Sequence, residues 1–395
     1  MTNGQERESR RCPSCGGQVS VFFQMRGVPA RVNFLYSTER SALESPRGDI
    51  VLGLCGECGL VSNIAFDPSL LKYVEGYENP LHCSDVFRSY ASDLAAELIR
   101  RFDLNGKTVV EIGCGDGDFL RLLCFRGSNR GVGFDPSYSG PTDTNGRIRI
   151  IQDYYSERYA GLKADFIYSR HTLEHVPDPM DLLGPVRRSI GAGDATPVFI
   201  EVPNAARIFD ECFVWDIIYE HTSYFTSGSL ATTLARSGFG GVVVDEAFHG
   251  QFLTAFARAA DGGRQGPVMV QAETRDRDEQ SVARFVAGYS EIIERWGLRL
   301  DKLRESGKTT VIWGAGSKGI TFLNSFDTRG VVDCVVDINP RKDGMFIAGT
   351  GHRIVSPRGL AAIRPDAVLV VNPVYRDEVD DTLRALGLHP AIETL

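Results

Sequence analysis

Apolar positions fall into two stretches of alternating strand and helix character with one long amphipathic segment between them. Over 84–102, Phe87, Tyr90, Leu94 and Leu98 recur three or four apart with Val86, Ala95 and Ile99 beside them, which predicts one face of a helix. After a turn at Asn105-Gly106, apolar runs at 108–112, 131–134, 165–168, 198–202, 242–245 and 252–258 alternate with helical patterns from about Asp118 and over 228–236. Strands separated by helices predict an open α/β sheet, its last two strands forming an antiparallel edge. The stretch 260–278 is Gly-rich and charged without a hydrophobic period, and predicts a linker. Beyond it Val282, Phe285, Tyr289, Ile292 and Trp296 predict one long helix that joins or docks domains. A second α/β unit opens at Thr309-Thr-Val-Ile-Trp-Gly and continues through 331–337 and 367–371.

Ahead of these units lie Cys12-Pro-Ser-Cys15 and Cys55-Gly-Glu-Cys58, each followed by a glycine, Gly16 and Gly59. Two such turns, each presenting a pair of thiolates, match a closed tetrahedral zinc site of structural type. Neither pair opens a thioredoxin-like strand and helix, so a redox role is disfavoured. Runs at 31–35 and 50–54 supply apolar residues for a small domain around the metal. The expected division is 1–70 for that domain, 71–262 for the first α/β unit, 263–305 for linker and long helix, and 306–395 for the second α/β unit.

Composition narrows the function. The 395 residues are 43% hydrophobic and 24% charged, an ordinary globular balance for two or three domains. Lys plus Arg at 43 against Asp plus Glu at 51 gives a net charge of −8, which offers no basic field for nucleic acid or an anionic membrane. The opening residues lack the apolar core of a signal peptide and no apolar run reaches membrane-spanning length, so a cytoplasmic address is expected.

Candidate chemistry gathers at strand ends. Val109-Val-Glu111-Ile-Gly113-Cys-Gly115-Asp-Gly117 sits where the first strand meets a helix, so its glycines let backbone approach a ligand. The next strand ends in Asp135, an acid placed to accept the hydroxyls of a ribose, and the third approaches at Asp153. No triphosphate loop is present, because the first glycine it requires is Arg101 before Gly106-Lys107-Thr108 and Lys302 before Gly307-Lys308-Thr309. His171-Thr-Leu-Glu174-His175 fits an inverted zinc-protease pattern, but it follows a strand directly and meets Pro177 and Pro179. A loop and no metal site is expected there, with Glu174 and His175 in a pocket wall. Gly314-Ala-Gly316-Ser-Lys318-Gly319, with Asp337 downstream, fits a dinucleotide fingerprint and taken alone suggests NAD and an oxidoreductase.

Glu111-Ile-Gly-Cys-Gly-Asp-Gly, Asp135 and Arg170-His-Thr-Leu-Glu-His175 resemble the class I S-adenosylmethionine-dependent methyltransferases. With the cysteine pairs, Tyr219-Glu220-His221-Thr-Ser-Tyr224-Phe225 and the C-terminal Gly-rich turn, the chain resembles the three-domain sugar C-methyltransferases. That resemblance implies a zinc-binding domain, a class I Rossmann-like methyltransferase sheet and a second Rossmann-like domain. It implies that Glu111, Gly113, Gly115, Gly117, Asp135, Asp153 and His171 hold S-adenosylmethionine. It further implies that His221, oriented by Glu220, is a general base with Tyr219 and Tyr224 nearby, and that Tyr77 and Asn204 meet the substrate. The substrate it implies is a small molecule, a nucleotide-linked 4-keto deoxysugar whose diphosphate meets Gly314, Gly316 and Lys318. Relatives carry Tyr-His-Glu-His where this chain has Ile218-Tyr219-Glu220-His221. The alternatives are the NAD oxidoreductase and a non-catalytic zinc-ribbon protein with a degenerate methyltransferase core.

Overall fold

The computed structural model describes residues 11–71, 81–144, 146–191, 194–260 and 272–395, so Tyr77 lies outside the described residues. At the N-terminal end the strands Val19–Pro29, Arg47–Cys55 and Val61–Asn63 form an antiparallel sheet, with Ile50 and Leu52 fully buried. The run 50–54 is therefore in a strand, whereas 31–35 is irregular. The fourth strand of this sheet is Ser223–Tyr224, which pairs with Val61–Asn63 from the middle of the chain. The segment after Tyr219 is thus tied to the N-terminal sheet by backbone hydrogen bonds.

Eight strands make the central sheet. In spatial order they are Phe239–Ala247, Phe252–Ala259, Pro197–Pro203, Phe166–Arg170, Thr108–Ile112, Arg130–Phe134, Ile148–Ile151 and Asp143–Thr144. The five from Pro197–Pro203 to Ile148–Ile151 are parallel and mostly apolar, as expected of strands covered on both faces. Phe239–Ala247 and Phe252–Ala259 form the predicted antiparallel edge. The helix Asp85–Phe102 is capped by Ser84, whose Oγ accepts from the Phe87 amide, and buries Phe87, Ala91, Ala95 and Leu98.

The C-terminal domain is a five-stranded parallel sheet in the order Ile354–Val355, Val332–Val336, Thr310–Trp313, Ala367–Val370, Ala391–Thr394. In both α/β units the first strand is central and the order reverses beside it, which opens a crevice at the strands' carboxyl ends. The helix Ala272–Ser306 connects the units and begins inside the stretch predicted to be a linker. Its first turns are polar, so a search for an apolar stripe misses them, yet Asp278 is buried there and accepts from Thr226 Oγ1 at 3.1 Å. Farther along, Phe285 and Tyr289 pack edge-on against Phe23, and Trp296 packs on Phe322 at 5.3 Å. One helix therefore shares a core with the N-terminal sheet and the C-terminal domain. Among the described residues no helix is long and apolar enough to cross a membrane.

Candidate active site

The turn between Thr108–Ile112 and the helix Asp118–Arg126 carries three glycines in the left-handed region, Gly113, Gly115 and Gly117. Their reasons differ. A Cβ on Gly113 would lie 1.9 Å from Thr172 Oγ1 and one on Gly117 2.5 Å from Ile150 Cδ1, whereas one on Gly115 meets nothing within 4 Å. Packing requires the outer two, and the middle one opens onto space that a ligand can fill. Asp135 holds this turn from the adjacent strand end: Oδ2 accepts from the Gly115 amide at 2.8 Å, and Oδ1 from the Ser137 amide and hydroxyl at 2.8 and 2.6 Å. Glu111 lies buried on the strand before the turn and accepts from the Tyr168 hydroxyl at 3.2 Å, and burial pushes its carboxyl up to about 8. Asp153, just past Ile148–Ile151, accepts from the Tyr159 hydroxyl at 2.6 Å and from Arg158 at 3.1 Å; the Tyr159 bond holds it below the usual carboxylate range.

Between this sheet and the C-terminal domain lies a cavity of about 270 Å³. The core contributes His171, Glu174, His175, Asn204 and His221, and the C-terminal domain contributes Gly314, Gly316, Lys318 and Lys342. His171 joins cradle and cavity, because its neighbour Thr172 is the residue against Gly113. Its Nε2 stands 2.7 Å from Glu201, which also accepts from Arg170 at 2.8 Å and the Tyr90 hydroxyl at 2.5 Å. Burial opposes ionisation of Glu201, but Arg170 and His171 hold it down to about 2. Sequence pattern places Tyr90 only on a helix face and gives Glu201 no role, because the two come from different elements and share no motif. Asn204 donates to the Gly250 carbonyl at 3.0 Å, while its buried Oδ1 has no partner among the described residues.

The expected wall residues Glu174 and His175 are in the wall, on a 3-10 turn and not an α-helix. His175 Nδ1 donates to the Glu220 carbonyl at 3.0 Å, which puts its lone pair on Nε2; burial lowers its pKa to about 4. Its ring meets that of His221 edge-on with centroids 5.0 Å apart. Burial, then His175, hold protonation of His221 well below the usual imidazole range.

Two expectations for this segment need correction. Glu220 does not orient His221 with its carboxyl. That group accepts from the Val32 and Asn33 amides at 2.9 and 3.2 Å and from Asn33 Nδ2 at 2.8 Å, because successive residues of the turn face opposite sides. The Tyr219 hydroxyl exchanges hydrogen bonds with the Asp67 backbone at 2.7 and 3.2 Å, so it braces the N-terminal domain and does not face the cavity. Tyr224 packs against His221 at 5.8 Å, but its hydroxyl is taken by the Ile218 amide and carbonyl. The groups around His221 include His175, Glu174 and the ring of Tyr224.

In the C-terminal domain Lys318 faces the cavity with its ammonium ion-paired to Asp216. Asp337 accepts from the Ala315 amide at 2.9 Å and the Asn339 amide at 2.9 Å, and Lys342 Nζ reaches both Asp337 at 3.3 Å and the Ala315 carbonyl at 3.0 Å. Lys342 was missed by sequence reading; its only signal is a cation five residues beyond the strand-end acid.

Cys12, Cys15, Cys55 and Cys58 bring their sulfurs within 4.8 Å of one another. The two turns are alike: Gly16 donates to the Cys12 carbonyl at 2.8 Å and Gly59 to the Cys55 carbonyl at 3.0 Å, both glycines left-handed. The Gly17 and Glu57 amides point at Cys15 and Cys55 sulfur at 3.3 and 3.4 Å. Four thiolates this close repel one another unless a cation lies among them, so the donor set fits zinc. Arg236 donates to the Ser14 and Cys15 carbonyls, which docks the first turn on the helix Ser227–Arg236.

Comparison with known proteins matches residues 87–243 to a methyltransferase domain and residues 252–387 to a C-methyltransferase C-terminal domain. The C-methyltransferase NovU of Streptomyces niveus is 29% identical over 306 residues, which cover 73% of this chain and 71% of that one. Among solved structures, a 1,6-didemethyltoxoflavin-N1-methyltransferase from Burkholderia thailandensis is 16% identical, covering 45% of this chain and 82% of that one with a TM-score of 0.35. An S-adenosylmethionine-dependent methyltransferase from Archaeoglobus fulgidus is 18% identical, covering 44% and 96% with a TM-score of 0.34. With two adjoining family models along the chain and a glycine cradle at the sheet edge, this is an S-adenosylmethionine-dependent methyltransferase that carries the C-terminal domain of the C-methyltransferases.

Proposed function

We propose that the enzyme methylates a carbon next to the ketone of a nucleotide-linked sugar held in the cavity between its core and C-terminal domain, with His221 as general base. The observation that carries this reading is one cavity whose walls combine paired imidazoles with a Gly-rich turn and two lysines. S-adenosylmethionine, when bound, supplies an electrophilic methyl group on a sulfonium. Gly115 gives it backbone access, and Asp135 would accept from its ribose. A ketone acidifies the neighbouring C–H by delocalising the resulting charge as an enolate. His221, neutral in the buried site, takes that proton on its imidazole nitrogen, and the enolate charge beside it stabilises the imidazolium formed. His175 is the alternative acceptor, because its lone pair stands beside His221. Asn204 Oδ1 is ready to accept from a sugar hydroxyl, and Gly316, Lys318 and Lys342 suit the diphosphate.

Proton exchange tests the assignment. With a 4-keto deoxysugar nucleotide in heavy water, the wild type should exchange the proton next to the ketone or couple its loss to methylation. His221→Asn should lose about 10²–10⁴-fold of that rate while still binding S-adenosylhomocysteine. A variant that keeps most of its turnover would move the base to His175 or elsewhere. We further infer one structural zinc at the four cysteines. Metal analysis should find one per chain, and fully folded metal-free protein would overturn that.

A further inference from the structure

Glu174, His175 and His221 each offer a donor atom, and these atoms lie within 4.8 Å of one another on the cavity wall. Two imidazoles and a carboxylate suit zinc and other first-row divalent ions. The arrangement has two further marks of a metal site. Glu174 is 2% exposed, and its Oε2 makes no hydrogen bond among the described residues, an unsatisfied buried oxygen that a cation would satisfy. Its other oxygen has a neighbour, His171 Nδ1 at 3.9 Å. His175 Nδ1 is held by the Glu220 carbonyl, the backbone contact that fixes the tautomer and aim of a metal-binding histidine. Bonds of roughly 2.0–2.2 Å to a zinc ion would draw the three donors closer together.

We propose that Glu174, His175 and His221 form a second zinc site, separate from the four cysteines, and that its occupancy silences the enzyme. Binding itself follows from the three donors. The silencing rests on the reading of His221 as base, because a nitrogen bonded to zinc has no lone pair left to accept a proton.

The full chain, carrying the metal held by its cysteines, would be dialysed against buffered free zinc and its bound metal counted. The count should rise by one per chain over that baseline, and methyl transfer should fall in step with it and return on chelation. Glu174→Gln and His221→Asn should each weaken this added zinc by more than the roughly 10–100-fold typical of losing an outer-shell partner. Calorimetric binding of S-adenosylhomocysteine checks that both variants are folded. No added zinc in the wild type, or added zinc kept by both variants, overturns the site. Added zinc that depends on these residues yet leaves methyl transfer undiminished supports the site and removes His221 from proton transfer.

Discussion

The two glycine-rich turns share a backbone device and differ in charge. In each, a strand-end aspartate reaches across to the turn: Asp135 accepts from Gly115 and Asp337 from Ala315, and each also accepts from the amide two residues on. In each, the first glycine is required by a neighbouring side chain, Thr172 for Gly113 and Val371 for Gly314, while Gly115 and Gly316 face open space. The third donor to the acid differs. For Asp135 it is the Ser137 hydroxyl, which can rotate away and leave the carboxylate to a ribose. For Asp337 it is the ammonium of Lys342, 9% exposed and also bonded to the Ala315 carbonyl. A ribose there would have to displace a buried cation and leave its acceptors uncompensated. A dinucleotide fingerprint therefore describes the shape of a turn, and the cation beyond the acid distinguishes the second turn from the first; under the proposed function the first takes a ribose and the second a phosphate.

Substitutions at the turns sharpen this contrast. The largest effect is expected for Gly115→Val, which combines a left-handed φ of 51° with a side chain pushed into the ligand space. S-adenosylhomocysteine affinity measured by calorimetry should fall at least about 100-fold, near 2.7 kcal/mol, with thymidine diphosphate binding unchanged. Asp135→Ala should cost roughly 1.5–3 kcal/mol of cofactor binding by removing a charged acceptor. Gly316→Val, at a position whose φ a side chain tolerates, should weaken a uridine or thymidine diphosphate probe about tenfold and leave S-adenosylhomocysteine alone. Copurification of NAD would break the contrast outright. The smallest effect is expected for Arg341→Ala, which removes an exposed ion pair to Asp116 between the turns, within about 1 kcal/mol on either ligand.

Acidity offers a further separation, because Glu111 before the first turn corresponds to Ile312 before the second. Burial raises Glu111 to about 8, so the folded state holds a proton that the unfolded chain releases above its ordinary value of 4.5. Its contribution to stability is fully present below about 4.5 and is lost as pH rises to about 8. In Glu111→Gln this loss should vanish, so urea midpoints at pH 6 and pH 8 should lie closer together than in the wild type.

Much of this architecture is legible in local pattern. Strand and helix alternation, the cysteine turns and the strand-end acids all depend on residues near one another in sequence, where period and spacing carry information. What stays hidden depends on distant partners. Nothing around Glu220 announces that its carboxyl meets Val32 and Asn33, or that Ser223–Tyr224 will join the N-terminal sheet. Direction within a turn is likewise not periodic, so Tyr219, Glu220 and His221 read as one cluster although only His221 faces the cavity. The start of the helix at Ala272 escapes because its polar turns show no apolar stripe.

Under the proposed function the methyl group goes to carbon beside a ketone. The most direct measurement incubates the enzyme with a 4-keto deoxysugar nucleotide and S-adenosylmethionine carrying a ¹³C methyl group, then follows the product by carbon–proton NMR. A labelled methyl group is expected on the carbon next to the ketone, with that carbon's proton lost. Label on oxygen or nitrogen, or a sugar reduced or oxidised with no label transferred, would contradict it.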